Sequence, residues 1–438
     1  MKALTNASTK MMQRYLPDPF LFVIILTFVV FILGLLLTPS SPLEMVTFWG
    51  NGFWDLLTFA MQMVLILVTG YVLASSPLFK AFLQKLATLA KTPGQAIIYV
   101  TLVALIASWI NWGFGLVIGA LFAKELAKVV QKVDYRLLIA SAYSGFIVWH
   151  GGFAGSIPLT IATEGHFTED IIGVVSTSET IFAPFNLIIV AALFITVPIL
   201  NRLMMNNKDV IEVDRSLLED PPNDAIAETK NLTPAERLEN SKALSIVTGG
   251  MGLIFIGYYL SQNGFNLNLD IVNFIFLFLG ILFHTTPRNF LNSVSNAVRN
   301  AGGIIVQFPF YAGIMGMMVT SGLAVEFSQW FVSISNDFTF PLFAFISAGI
   351  VNFFVPSGGG QWAVQAPIML SAGAELGLSS AKTAMAVAWG DAWTNMIQPF
   401  WALPALAIAG LKARDIMGFC LFVLFLSGIV IGIGLLFF

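Results

Sequence analysis

Asp391 is an acid set within a run of apolar residues, in Trp389-Gly-Asp-Ala-Trp393-Thr-Asn395. An ionisable side chain at membrane depth is costly. It reads as a proton or cation site, or as a carboxylate bonding the amides of a kink. Two glycine-bearing stretches are the other chemical signals. Pro356-Ser-Gly-Gly-Gly360-Gln361 loosens the backbone and then starts a helical arm. Amides at such a start, with about half a positive charge from the helix, can hold an anion without Arg or Lys. Ser357, Gly358, Gly359, Gly360 and Gln361 are therefore candidate substrate contacts. The second stretch, Asn111-Trp-Gly-Phe-Gly115, offers fewer donors and more freed carbonyls. Asn111, Gly113 and Gly115, with Asn352 before the other tip, are further candidates. Asn oxygens and carbonyls at the Asn111 and Asn352 tips suit Na⁺, so those two residues join Asp391 as ion-coupling candidates.

Trp389, Asn395 and Gln398 complete the substrate set, and Gln365 also lies close to a break. His150 borders a third break, His150-Gly-Gly-Phe-Ala-Gly155. It reads as a titrating group or as a polar neighbour bonded to that break. Trp109, Trp112, Trp362, Trp389, Trp393 and Trp401 gather around these segments and suit the walls of a small apolar pocket or interfacial anchors. Gln62 and Gln307 can hydrogen-bond across helices or to a ligand, and read first as links between helices.

The surrounding elements are long apolar runs. Of 438 residues, 57% are hydrophobic and 10% charged, against about 25% charged in soluble domains. Lipid must solvate much of this surface, and helices are the expected spanning element. Runs of spanning length are Phe20–Leu37, Leu56–Ala74, Ala96–Ala123, Leu137–Ala162, Ile181–Leu200, Ala243–Leu260, Ile271–Phe283, Gly302–Val319, Phe340–Ala372, Thr383–Leu411 and Ile416–Phe438. The Thr383–Leu411 run is interrupted at Met396-Ile-Gln-Pro399. Residues 201–242 carry nine acids and six bases and read as a polar linker. Within it, Thr233-Pro-Ala-Glu236 has the form of a capped helix start. The first apolar run has no small-residue cleavage site, so no cleavable signal peptide is expected.

Rare residues recur at nearly constant spacing. Leu33-Gly34-Leu35-Leu36 matches Leu279-Gly280-Ile281-Leu282, Ala142-Tyr143 matches Ala388-Trp389 and Pro158 matches Pro404, all 246 apart. Pro42 and Pro287, like Gln62 and Gln307, are 245 apart. Asn111 pairs with Asn352 at 241. The expected division is a first repeat over 1–200, a linker over 201–242, a connecting span over 243–260 and a second repeat over 261–438. With Ala96–Ala123 and Phe340–Ala372 as re-entrant hairpins, four crossings plus one connecting span invert the second copy. With the N-terminus inside, all 21 Lys and Arg residues except Lys382 fall on the cytoplasmic side, and the C-terminus lies outside. The expected fold is thus all-α and polytopic, with two inverted-topology repeats, re-entrant hairpins and broken helices. Such a build is that of a secondary transporter.

Other classes fit poorly. A single cysteine, Cys420, excludes an internal disulfide, and His150, His166 and His284 show no metal-ligand spacing. An embedded enzyme would need a nucleophile–base pair or metal cluster that the chain does not display. No basic tract points to nucleic acid, and a passive pore fits broken inverted repeats less well than a carrier does. No cofactor is expected beyond a coupling ion, H⁺ or Na⁺.

Several passages resemble the bacterial short-chain fatty acid transporter family, the acetoacetate/butyrate uptake type. They are Trp49-Gly-Asn-Gly-Phe-Trp54, Ile110-Asn-Trp-Gly-Phe-Gly115, Val306-Gln-Phe-Pro-Phe-Tyr-Ala-Gly313, Val355-Pro-Ser-Gly-Gly-Gly360 and Gln398-Pro-Phe-Trp-Ala-Leu-Pro-Ala-Leu-Ala-Ile-Ala-Gly410. The resemblance runs nearly end to end. It implies short-chain monocarboxylate substrates, such as acetoacetate or butyrate, and membership of the wider ion transporter superfamily. It also implies a scaffold domain that dimerises, an elevator-type transport domain and a place in the bacterial cytoplasmic membrane. A carrier of dicarboxylates or other small organic anions is the alternative. Helix-end donors with Trp and Phe walls match one carboxylate and a short apolar tail better than a polyanion.

Overall fold

The computed structural model describes residues 19–205, 210–213, 218, 232–299, 301–352 and 357–438. Most of the polar linker, the N-terminal bases and Phe353–Pro356 of the second tip lie outside them. Proline and a preceding small polar residue start many of the helices. Pro42, Pro77, Pro93, Pro234 and Pro287 each stand at the first turn after Ser41, Ser76, Thr92, Thr233 and Thr286. Proline suits that place because its missing N–H would have no helical acceptor there. At Ser41 and Thr233 the cap is reciprocal, through Glu44 and Glu236. Bonds from Ser41 and Thr233 hold both carboxyls below their ordinary range.

Among the described residues, six helices are long and apolar enough to cross a bilayer: Leu57–Ala74, Pro93–Ile110, Tyr135–Ile161, Pro184–Leu203, Lys242–Asn263 and Ala413–Phe437. One further apolar helix pair is sharply bent, in the manner of a broken span or a re-entrant loop. Gly302–Thr320 and Leu323–Ile334 meet at Gly322, whose φ of +82° suits glycine, and the axes turn by 78°. The sequence reading ended a span at Val319 and did not foresee the Leu323–Ile334 arm. It also passed over the short helices Pro42–Gly52, Pro77–Ala87 and Pro287–Val298. Each of these three begins on a Ser-Pro or Thr-Pro pair that could have signalled it.

The expected break in Ala96–Ala123 falls at Asn111. Helices Pro93–Ile110 and Trp112–Val129 pack against one another on either side of it. The arms are 18 residues each, about 27 Å long. Each arm thus approaches the thickness of a bilayer's hydrocarbon core, about 30 Å. The break in Leu137–Ala162 begins earlier than expected. Helix Tyr135–Ser144 gives way to a 3₁₀ stretch at Gly145, five residues before His150, and helix Ser156–Ile161 follows. The last broken run resolves into Ser380–Thr394, a 3₁₀ turn Asn395–Ile397 and Pro399–Ala409.

Helix boundaries recur as the sequence spacing does. Trp112–Val129 and Gly358–Glu375 are both 18 residues long and start 246 apart (358 − 112). Leu57–Ala74 packs against Trp112–Val129, and Gly302–Thr320 packs against Gly358–Glu375 in the same manner.

Small residues set the closest approach. Phe340–Asn352 lies tightly on Ser380–Thr394, where a methyl on Gly390 would meet the Phe345 carbonyl and stand 2.6 Å from the Ala348 side chain. Such contacts let helices pack where lipid gives no hydrophobic drive between them. Gly390→Ala is expected to cost roughly 1–3 kcal/mol. Thermal unfolding of the detergent-solubilised variant, read against wild type, should show a drop of several degrees; an unchanged midpoint would refute this contact.

Candidate functional site

Two helix starts define the interior. Asn111 and Ser357 are both in extended backbone, at φ −158° and −157°. Each caps the third amide of its helix through its side chain, Phe114 at 3.0 Å and Gly360 at 3.3 Å. Each also accepts the fourth amide on its carbonyl, Gly115 at 2.8 Å and Gln361 at 2.7 Å. That leaves the amides of Trp112 and Gly113, and of Gly358 and Gly359, without an acceptor among the described residues. The structural partner of Asn111 is therefore Ser357, at the common spacing of 246, and not Asn352 at 241. Asn352 is the last residue of the arm before the second tip.

This geometry changes the reading of the first tip. Its carbonyls and the Asn111 oxygen are engaged in the cap, so it presents amides as the second tip does. Asn352 turns its amide nitrogen to Asp391 O, Thr394 Oγ1 and Asn395 Oδ1 at 3.0, 2.9 and 2.7 Å. Thr394 in turn donates to Gly349 O at 2.9 Å. Asn352, Asp391 and Asn395 thus form one buried polar knot. Tyr143 closes it from another helix by donating to Asn395 O, and the Gln398 carbonyl lies 3.5 Å from the same hydroxyl. The Oδ1 of Asn352, Oε1 of Gln361 and Oδ1 of Asp391 are buried without a partner among the described residues. Such orphans are uncommon in folded interiors.

The 3₁₀ stretch Gly145–Gly151 lies between the two tips. Trp112 of the first tip packs on Trp149 at 5.9 Å and edge-on to Trp401 at 5.4 Å. Phe146 stacks on Trp149 at 5.4 Å. Trp149 also reaches the second tip, where a methyl on Gly358 would stand 2.9 Å from its ring. Residues 111–115 and 358–361 are all buried. The tips thus share one aromatic floor.

Three glycines let aromatic rings close on the second tip. A methyl on Gly358 would meet His150 and Trp149, one on Gly359 would meet Phe59, and one on Gly360 would meet Tyr311. Phe59 and Phe308 are 5.6 Å apart, and the Tyr311 hydroxyl donates to Gln307 Oε1 at 3.1 Å. Phe59, Phe308 and Tyr311 were missed by sequence reasoning. Nothing in a chain with 40 Phe singles out two of them.

His150 was not among the site residues chosen from sequence, although it was noticed at the break. Its Nδ1 lies 3.0 Å from Asp391 Oδ2, with both side chains fully buried. The ring N–H does not point straight at that oxygen. The two residues are 241 positions apart, so no local motif announces the pair. Other candidates have hydrogen-bond partners within the protein. Trp389 donates to Asn186 Oδ1 at 3.0 Å, and Asn186 donates to Gly151 O at 3.0 Å. Gln361 donates to Ala348 O and Gln365 Oε1. Gln62 donates to Asp270 Oδ1 at 2.8 Å and links two helices, as expected.

The chain as a whole, residues 1–438, matches the family described as short chain fatty acid transporter. It belongs to that family. A protein of Escherichia coli (strain K12) named "Putative short-chain fatty acid transporter" is 47% identical over 433 residues, 99% of this chain and 98% of that protein. A protein of the same name from Haemophilus influenzae is 45% identical over 437 residues, covering 98% of both. Among solved structures, the Alcanivorax borkumensis YdaH transporter has a TM-score of 0.60 at 15% identity, covering 95% of this chain and 98% of that one. Neisseria gonorrhoeae MtrF, described with a class of antimetabolite efflux pumps, has a TM-score of 0.52 at 15% identity, covering 98% and 97%. These two likenesses concern the fold alone. The short-chain fatty acid transporter family member described here is thus an all-helical, multi-pass membrane protein of a transporter family, not an enzyme.

Asn111→Ala should leave the Phe114 amide uncapped and cost about 1 kcal/mol, whereas Asn111→Ser keeps a capping oxygen. Thermal unfolding of the two variants should separate them in that order; equal midpoints would show that the cap carries no energy.

Proposed function

We propose that this protein is a secondary active transporter that carries short-chain monocarboxylates, such as acetoacetate or butyrate, with a coupling ion. The carboxylate would be held by the free amides of Gly358 and Gly359 at the helix start, with Ser357 capping the Gly360 amide and fixing the turn. The apolar tail would lie against Phe59 and Phe308. The carrying observation is the pair of capped helix starts, each with two acceptor-less amides, on either side of Trp149. Amides at a helix N-terminus favour an anion and need no cationic side chain. Family membership supports the substrate class. Among the described residues no Lys or Arg is fully buried, which supports backbone capture over a guanidinium clamp.

The near-constant spacing of helix boundaries supports an ancestral duplication with the second copy inverted, joined by Lys242–Asn263. In this reading the tips enter from opposite faces and alternating access follows from motion of one domain past a dimeric scaffold. The distribution of Lys and Arg supports an N-terminus inside and a C-terminus outside. The coupling ion is H⁺ or Na⁺, and the buried His150–Asp391 pair favours H⁺.

Uptake of labelled acetoacetate and butyrate into proteoliposomes, corrected for protein-free vesicles, tests this reading. Ser357→Ala is expected to reduce affinity about fivefold, the equivalent of one lost cap. Asp391→Asn is expected to abolish gradient-driven accumulation while leaving counterflow measurable. Equal competition by succinate would favour the dicarboxylate alternative, and unchanged accumulation in Asp391→Asn would remove that residue from coupling.

A further inference from the structure

We infer that His150 and Asp391 together carry one proton with each substrate anion, because the imidazole of His150 forms part of the wall of the anion site itself. The inference rests on the assignment of the Gly358 and Gly359 amides as the carboxylate site.

Three contacts orient the ring. The Ile157 amide donates to Nε2 at 3.2 Å. In the neutral imidazole the proton therefore sits on Nδ1, the nitrogen 3.0 Å from Asp391 Oδ2. The face of the ring stacks on Trp149, with centroids 3.9 Å apart and planes 15° apart. Its edge reaches the second tip. A methyl on Gly358 would stand 2.6 Å from Cε1 and 2.9 Å from Nε2. A carboxylate on the Gly358 and Gly359 amides is thus a near neighbour of a ring already tied to Asp391.

Charge then links proton to anion. Among the described residues, His150, His284 and Asp391 are the only His, Asp, Glu, Lys or Arg side chains that are buried, and His284 is bonded to Val72 O elsewhere. On the elements packed against the 3₁₀ stretch, Tyr143 donates to Asn395 O and Tyr135 to Ala409 O. Tyr99 there is half-buried, and Lys124, Glu125, Lys128, Arg136, Arg202 and Lys382 are partly or fully exposed. Among the described residues no buried cation faces the pair. Ionised Asp391 with neutral His150 is one negative charge, and a bound anion makes two in a medium that screens poorly. One proton on the pair returns the count to a single negative charge beside the helix N-terminus. The anion and the proton enter together, and the loaded site has the same net charge as the empty one.

Calorimetric titration of the full-length, solubilised protein with butyrate in buffers of different ionisation enthalpy counts the protons taken up, in sodium-containing and sodium-free solution. Wild type is expected to take up about one proton per butyrate near neutral pH, with no need for sodium. His150→Gln, whose amide oxygen can still accept from Ile157, and Asp391→Asn should each bind butyrate with proton uptake reduced to near zero. Butyrate binding by wild type without proton uptake overturns the inference and leaves the carboxylate site standing. Proton uptake that persists in both variants overturns it equally. Absence of butyrate binding to wild type takes down the carboxylate site, and the inference with it.

Discussion

Every peptide group in this interior must find a hydrogen-bond partner inside the protein, because lipid supplies none. Helices meet that demand along their length but leave their first amides open. The molecule breaks helices at a few places only, and it brings those breaks together instead of scattering them. Asn111 and Ser357 satisfy one amide each, and their carbonyls satisfy another. What remains is four amides in two groups, walled by tryptophan and phenylalanine. Backbone amides left open beside aromatic walls are the direct outcome of that constraint, and the proposed anion site is built on them.

A backbone site has particular consequences for the side chains around it. Glycine is needed at 358, 359 and 360 because His150, Phe59 and Tyr311 occupy the space where side chains would project. The polar knot of Asn352, Asp391, Thr394 and Asn395 holds the end of one arm to the second broken helix. It therefore supports the tip without contacting it through Ser357. Tyr143 and Asn186 anchor the broken helices to their neighbours by bonding carbonyls that the breaks release. Several polar residues chosen from the sequence are bonded within the protein: Gln361 to Ala348 O, Trp389 to Asn186 and Asn395 to Asn352. His150, which borders the second tip, brings Asp391 into contact with that region.

The sequence by itself determined the membrane character, the sequence position of most long apolar helices, and the breaks at Asn111, near His150, at the glycine triplet and near Met396. Hydropathy and helix punctuation are local properties, so they survive in one dimension. The 246-residue spacing was legible too, although the asparagine pair at 241 misdirected the match between tips. Asn is a good cap and so is Ser, and identity of residue type hid identity of role. Only the tertiary structure decided which breaks meet. The His150–Asp391 contact, the aromatic floor from Trp112 to Trp149, and Phe59 and Phe308 against the glycines join residues from distant parts of the chain. Such contacts depend on how helices cross, and crossing depends on small residues such as Gly349 and Gly390, whose partners lie on other helices. A chain this rich in apolar residues allows many crossings, and close packing of the whole bundle selects one.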